Sequence, residues 1–175
     1  MGEESPAATG DLPGFLAFYD GALPQVYSYL SARCESRAVA EDLTAETFLA
    51  AVEAARLSAS SPMSTTWVVG VARHKLADHW RRQARDGRRF QRLAEAAPQV
   101  VEPWDAQLDV LAVRRCLGQL AAQHRAALTL RYVDDLTVPE VASLLGRSVQ
   151  ATEALLVRAR AAFRRSYTGR ETPDA

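Results

Sequence analysis

Residues 137–160, TVPEVASLLGRSVQATEALLVRAR, decide the fold. Thr137 has a hydroxyl that can cap a helix, and Glu140 stands three residues on, the spacing of a capping box. Val141, Ala142 and Leu145 then recur on one face of that helix. Gly146 follows, the residue that enters left-handed backbone without penalty and so closes a helix in a tight turn. Ser148 caps the next helix, in which Val149, Leu156 and Ala159 are expected to pack inward. Two short amphipathic helices around a glycine turn make a helix-turn-helix, whose second helix fits the major groove of DNA. Packed helical hairpins share the pattern, but Arg158, Arg160, Arg164 and Arg165 supply the cations that phosphate neutralisation needs.

Outward from this stretch, the whole sequence reads as helical. Nowhere do apolar residues alternate with the period of two that marks a strand. A first helix begins after Pro13-Gly14, with Leu16, Leu23, Val26, Tyr27 and Leu30 as its stripe. A second runs from Ala38 to about Arg56, with Val39, Leu43 and Ala50 on one side. The segment Leu57–Ser64 is polar and broken by Pro62, hence a loop. Ser64 or Thr65 caps a third helix, which runs to about Arg85 and buries Val68, Val71, Ala72 and Leu76. From Asp86 to about Asp105 the periodicity dissolves around Gly87, Pro98 and Pro103. Leu108, Leu111, Ala112, Leu117 and Leu120 open a second helical unit, and Gln123–Tyr132, Val138–Leu145 and Val149–Arg165 complete it. The expected architecture is all-α: a disordered 1–11, a helical domain at 12–86, a flexible acidic linker at 87–107, a helix-turn-helix domain at 108–167, and a flexible tail at 168–175.

The 175 residues carry no net charge, yet the charges are segregated. Residues 1–55 hold nine acids and two bases, and residues 56–92 nine bases and two acids. Residues 93–113 hold four acids and no base, and residues 114–175 ten bases and six acids. Two basic blocks, each preceded by an acidic one, suit a protein that meets a polyanion at two places and a basic partner at another. Solvated helix faces would show the same composition.

Other classes find little support. No stretch approaches the ~18 apolar residues of a membrane span, and the acidic N-terminus lacks the features of a secretory signal, so the cytoplasm is expected. Cys34 and Cys116 form neither a disulfide framework nor a metal motif. His74, His79 and His124 form no cluster, and no phosphate loop or nucleophile elbow appears. No catalytic residue, metal or cofactor is expected.

Ala40–Phe48, AEDLTAETF, and Trp67–Arg82, WVVGVARHKLADHWRR, carry a resemblance to the extracytoplasmic-function (ECF) sigma factors of bacterial RNA polymerase. It continues in Leu130-Arg131-Tyr132, Leu136-Thr137, Glu140-Val141-Ala142 and Arg158-Ala159-Arg160. These segments follow family order and span roughly three quarters of the chain. The family has two helical domains, regions 2 and 4, and directs promoter-specific initiation.

The resemblance implies partners and site residues. Asp42, Leu43, Glu46 and Phe48 would bind core polymerase at the clamp helices of its largest subunit; Asp42 and Glu46 are four apart, on one helical face. Where relatives often carry Gln, this chain has Ala45. Ser60, Ser61, Thr65, Arg73, His74, Lys75, Arg81 and Arg82 would recognise and open the minus-ten element, a task needing a pocket for an unstacked base and cations along a single strand. Trp67 is expected in the core. Arg147, Ser148, Glu153, Ala154, Val157, Arg158 and Arg160 would meet the minus-thirty-five element. There Arg158 suits guanine, Glu153 cytosine N4, and Ala154 or Val157 a thymine methyl. Arg147, Ser148 and Arg160 would position the backbone. Glu153 and Leu155 depart from the basic residues common in relatives, and Glu153 is as well explained by an intrahelical pair with arginine. Region 4 would also meet the flap of the second-largest subunit. The acidic linker, with Glu95, Glu102, Asp105 and Asp109, would thread the active-centre cleft. Relatives are commonly restrained by an anti-sigma factor that occludes the docking surfaces. The alternatives are a helix-turn-helix regulator acting on operators without polymerase, and an interaction protein that keeps the fold without reading DNA.

Overall fold

A computed structural model describes residues 12–57, 63–90 and 110–168. The expected N-terminal segment 1–11, nearly all of the linker, and the tail beyond Thr168 lie outside the described residues, as do Ser60, Ser61 and Leu108. Every regular element among the described residues is helical: α1 (Leu12–Ser31), α2 (Arg37–Leu57), α3 (Thr65–Phe90), α4 (Val110–Gln119), α5 (Ala122–Leu128), a π-helical turn (Thr129–Val133), α6 (Val138–Leu145) and α7 (Val149–Thr168). They fall into two compact units that divide after Leu76, inside α3.

In the first unit α1 packs on α2. Val26, Leu30, Leu43, Val68, Ala72 and Leu76 are essentially sealed from water. Phe48 meets Tyr19 edge-on, with ring centroids 4.6 Å apart. Thr44 and Thr47 are buried too, and each hydroxyl donates to the carbonyl one turn back, Ala40 O at 2.7 Å and Leu43 O at 2.6 Å. Those bonds remove the penalty of an unsatisfied buried hydroxyl. The expected stripe of α1 holds at Val26 and Leu30 and fails at Leu16, which is half exposed near the start of the helix. Ser64, rather than Thr65, caps α3: its Oγ accepts the Trp67 N–H at 3.2 Å. Trp67 itself is only partly buried.

In the second unit α5 packs against α7, and α4 and α6 pack on α7 as well. Trp80, Cys116, Ala127, Leu130, Val141, Leu155 and Ala159 form the core. Arg125 is 7% exposed; its Nη2 donates to Gln83 Oε1 at 2.8 Å and its Nη1 to Gly118 O at 3.4 Å. Trp80 and the Gln83–Arg125 bond explain why the latter half of α3 clusters with this unit, whereas the sequence pattern sets the domain boundary at residue 86. The helix also continues to Phe90, through Gly87, five residues beyond the expected end.

The expected helix over Gln123–Tyr132 is α5 followed by a π turn. Asp134 N–H reaches back five residues to Thr129 O at 3.0 Å, and Leu136 N–H reaches Leu130 O at 3.1 Å. Asp135 then adopts φ 52°, a left-handed conformation that aspartate tolerates better than most side chains. Arg131 Nη1 ties this corner by donating to Leu136 O at 3.1 Å.

The α6–turn–α7 segment forms with all but one of the expected residues in the expected roles. Glu140 Oε2 accepts both the Thr137 N–H at 2.7 Å and the Thr137 hydroxyl at 2.6 Å. Gly146 sits at φ 62°, ψ 43°. Its N–H bonds Ser143 O at 3.2 Å while Arg147 N–H bonds Ala142 O at 2.9 Å, the paired bonds of a Schellman closure. Ser148 Oγ accepts the Ala151 N–H at 3.1 Å. Val149 corrects one expectation: it is 44% exposed, and the inward positions of α7 are Thr152, Leu155, Leu156, Ala159 and Phe163. Leu155 is thus a core residue, so an arginine there would bury a charge.

Gly146→Ala is expected to destabilise the second unit by about 1–2 kcal/mol, the usual penalty of left-handed backbone for an L-residue. The new Cβ would also stand only 3.1 Å from Arg81 Nη1. Urea unfolding should show a lower midpoint at unchanged slope; an unchanged midpoint would mean the turn tolerates a side chain.

Candidate functional site

Two surfaces carry the candidate residues, one in each unit. On α2, Asp42 and Ala45 are exposed and Glu46 is half exposed, one turn apart. Leu49, at 65% exposure, extends the same face by another turn. Sequence reading passed over Leu49 because an apolar residue beside Phe48 reads as core. The signal for it was the spacing of 42, 46 and 49. Leu43 and Phe48, expected among the docking residues, are instead 2% and 5% exposed. Their contribution is to hold α2 in place, since neither offers surface to a partner. Glu46 Oε2 lies 3.8 Å from Lys75 Nζ on α3, a partly exposed pair worth about 0–1 kcal/mol.

The basic residues of α3 follow helical spacing. His74 and Arg82 are exposed, while Thr65, Arg73, Lys75 and Arg81 are partly covered. Arg81 is paired with Asp78. Ser60 and Ser61 lie outside the described residues, so the loop half of the expected minus-ten site has no geometry here.

The α7 surface is a single stripe. Gln150, Glu153, Ala154, Arg158 and Arg165 are exposed, and Val157 and Ala161 are half exposed between them. This periodicity is the complement of the buried Thr152–Leu156–Ala159–Phe163 face. Four of the seven expected residues, Glu153, Ala154, Val157 and Arg158, share that stripe. Glu153 forms no ion pair among the described residues, so the intrahelical-pair explanation of it finds no support. Arg160 is turned elsewhere: its Nη1 approaches the Tyr132 hydroxyl at 3.5 Å. Arg147 Nη2 donates to Gln123 Oε1 at 3.3 Å, and Ser148 is engaged as the cap. Gln150 was missed by sequence reading. It stands one turn before Glu153 and Ala154, near the start of α7, and extends their exposed stripe.

Among the described residues no three His, Cys, Asp or Glu side chains are placed to hold a metal ion, and no helix is long and apolar enough to cross a membrane. Cys116 is buried, its thiol within 3.6 Å of Ser166 O.

A glycine-closed turn, a serine-capped second helix and an exposed stripe on that helix give the second unit the form of a helix-turn-helix. Residues 111–163 match the family described as Sigma-70, region 4, and residues 18–86 match Sigma-70 region 2. The chain is 31% identical to the ECF RNA polymerase sigma factor BldN of Streptomyces coelicolor, over 87% of this chain and 60% of that protein. It is 29% identical to the ECF RNA polymerase sigma factor SigC of Mycobacterium tuberculosis, over 90% of this chain and 85% of that one. Among solved structures it resembles the sigma factor RpoE of Bartonella quintana, crystallised in complex with the anti-sigma factor NepR. The TM-score is 0.54 at 16% identity, covering 90% of this chain and 98% of that one, a likeness of fold. Together the two Sigma-70 regions cover most of the chain, and the curated relatives it is similar to include ECF sigma factors.

His124 on α5 gives a stability test of the α5–α7 packing. Burial lowers its pKa below the ordinary imidazole value, and the positive charges of Arg158 and Arg165 lower it further. A depressed folded-state pKa means the unfolded chain binds the proton first. Stability should therefore be full above about pH 6.5 and fall as the pH drops toward the folded-state value. Thermal unfolding between pH 7.5 and about pH 5 should show this loss. His124→Gln should flatten that part of the profile, and an unflattened profile would place the proton uptake elsewhere.

Proposed function

We propose that this chain is an ECF sigma factor that docks on core RNA polymerase and directs initiation through the minus-ten and minus-thirty-five elements. The observation that carries the reading is the presence, on one chain, of both sigma-70 regions, each with a surface of the right chemistry. A stand-alone operator-binding regulator needs only the helix-turn-helix and leaves the region 2 match and the acidic face of α2 without a purpose. An interaction protein that reads no DNA leaves the exposed Gln150–Arg158 stripe without one.

The first step is capture of polymerase. Asp42 and Glu46 offer two carboxylates to a basic helical surface, and Leu49 offers an apolar anchor beside them. The clamp helices of the largest subunit are that surface, and the flap of the second-largest subunit meets the helix-turn-helix unit. In the second step α7 enters the major groove. Arg158 bonds a guanine edge, Glu153 accepts from cytosine, and Ala154 or Val157 meets a thymine methyl. Arg147, Ser148 and Arg160 set the register on phosphates. The third step is opening of the minus-ten element. Arg73, His74, Lys75, Arg81 and Arg82 follow the displaced strand, with Ser60, Ser61 and Thr65 at the loop that receives an unstacked base. The protein supplies binding and positioning and no bond-making chemistry of its own. It works in the cytoplasm, where polymerase and promoter DNA are, and an anti-sigma factor that covers its docking surfaces is a fitting regulator.

Reversing the charge of Asp42 and Glu46 together, to Arg, should abolish binding to purified core polymerase while circular dichroism stays unchanged. Retained affinity would remove α2 from the docking interface. Replacing Arg158 by Ala should weaken recognition of the upstream element by about 1–3 kcal/mol, the scale of one good base contact. Promoter affinity measured across base-substituted upstream elements checks this; an unaltered base preference would take Arg158 out of the readout.

A further inference from the structure

Gln150, the second residue of α7, is exposed, and its carboxamide has no partner among the described residues. The polar groups around it are occupied. Arg147 donates to Gln123 at 3.3 Å, Ser148 Oγ accepts the Ala151 N–H at 3.1 Å, and the Thr152 hydroxyl donates to Ser148 O at 2.9 Å. Ser148 O also accepts the Thr152 N–H at 3.0 Å, and Thr152 is sealed from water. The backbone at Gln150 is thereby held between a capped helix end and a buried anchor. Its conformation is settled before any partner arrives, so binding orders only the side chain.

Helical geometry puts this residue on the outermost line of α7. At about 100° per residue, Gln150, Ala154, Val157 and Ala161 lie within about 40° of the direction opposite the buried Thr152–Leu156–Ala159–Phe163 face. Glu153 and Arg158 stand on either side of that line. Alanine and valine are short and let a helix approach the floor of a groove closely. Gln150 is the residue of the line whose side chain can hydrogen-bond. Its carboxamide presents an acceptor and a donor side by side. In the major groove adenine presents the complement, the N6 donor beside the N7 acceptor, so two bonds form together. Guanine offers two acceptors there and would leave the carboxamide oxygen facing one of them; thymine offers one acceptor beside a methyl group. We infer that Gln150 is a specificity-determining residue that reads an adenine of the upstream element, at a base pair separate from the one met by Arg158. This rests on the promoter reading, which sets α7 in the major groove, and adds a base contact of a kind that the glutamate and arginine beside it do not make.

Core polymerase reconstituted with the full chain, and supplied with a promoter library randomised across the upstream element, tests it when the templates that initiate are sequenced. With the unaltered chain, adenine should be favoured about tenfold over the other bases at one position. Gln150→Ala should erase that preference and leave the others as they were. Gln150→Glu should move it to cytosine, whose N4 amine donates to a carboxylate. Arg158→Ala should alter a different position, because Arg158 stands about two turns further along α7, about 12 Å at 1.5 Å per residue. Preferences that both Gln150 variants leave unaltered would overturn the inference. A uniform loss of initiation with those same preferences would overturn it too, since that is the mark of a phosphate contact. So would a Gln150→Glu chain that still selects adenine. If the unaltered chain enriches no upstream element at all, the promoter reading fails and this inference with it; one element recovered alike with every Gln150 variant sinks the inference alone.

Discussion

The left-handed conformation of Gly146 is the constraint on which the helix-turn-helix half of this protein depends. One residue at φ 62° ends α6, lets Arg147 N–H return to Ala142 O, and delivers the chain to Ser148, which starts α7 three residues before its first capped amide. Change the angle and the buried face of α7 no longer meets α5, so the exposed stripe from Gln150 to Arg165 loses its direction. The same glycine leaves room for the Arg81 guanidinium, which connects the turn to the latter half of α3. A local backbone requirement thus fixes both the start of α7 and the place of the Arg81 side chain.

Side-chain burial separates the residues that present a surface from those that support it. Asp42, Glu46 and Leu49 face outward from α2, while Leu43, Thr47 and Phe48 anchor the helix behind them. On α7 the division is equally sharp, with Thr152, Leu155 and Leu156 inward and Glu153, Ala154 and Arg158 outward. In both helices the 3.6-residue period places polar groups for a partner and apolar groups for the core on opposite sides. The departures from family habit then take different meanings. Leu155 is a packing choice, whereas Glu153 is a surface choice open to a base.

Much of this was legible from residue types because short-range rules governed it. The cap at Ser148, the capping box at Thr137 and Glu140, and the glycine closure depend on neighbours within four or five positions. What escaped depends on distant neighbours. Val149 looks apolar and inward, yet it is the first residue of α7 and stands 44% exposed, ahead of the buried positions that begin at Thr152. Leu49 looks like core and is exposed because the α1–α2 packing is completed by Phe48 on Tyr19. The π turn at Thr129–Val133 has no sequence signature in the apolar pattern; it shows only in the Asp134 N–H to Thr129 O and Leu136 N–H to Leu130 O bonds. The Gln83–Arg125 bond was invisible for the same reason: its two residues are far apart in sequence and meet only in the folded unit.

In the proposed function, the acidic face of α2 and the exposed stripe of α7 act together on one polymerase. Core enzyme free of other sigma factors, reconstituted with this chain and run on genomic DNA, tests it when the 5′ ends of the transcripts are mapped. Starts should gather at discrete sites sharing two sequence elements at fixed spacing upstream, and vanish when the chain is omitted. Transcripts that begin no more selectively than with core alone would contradict it.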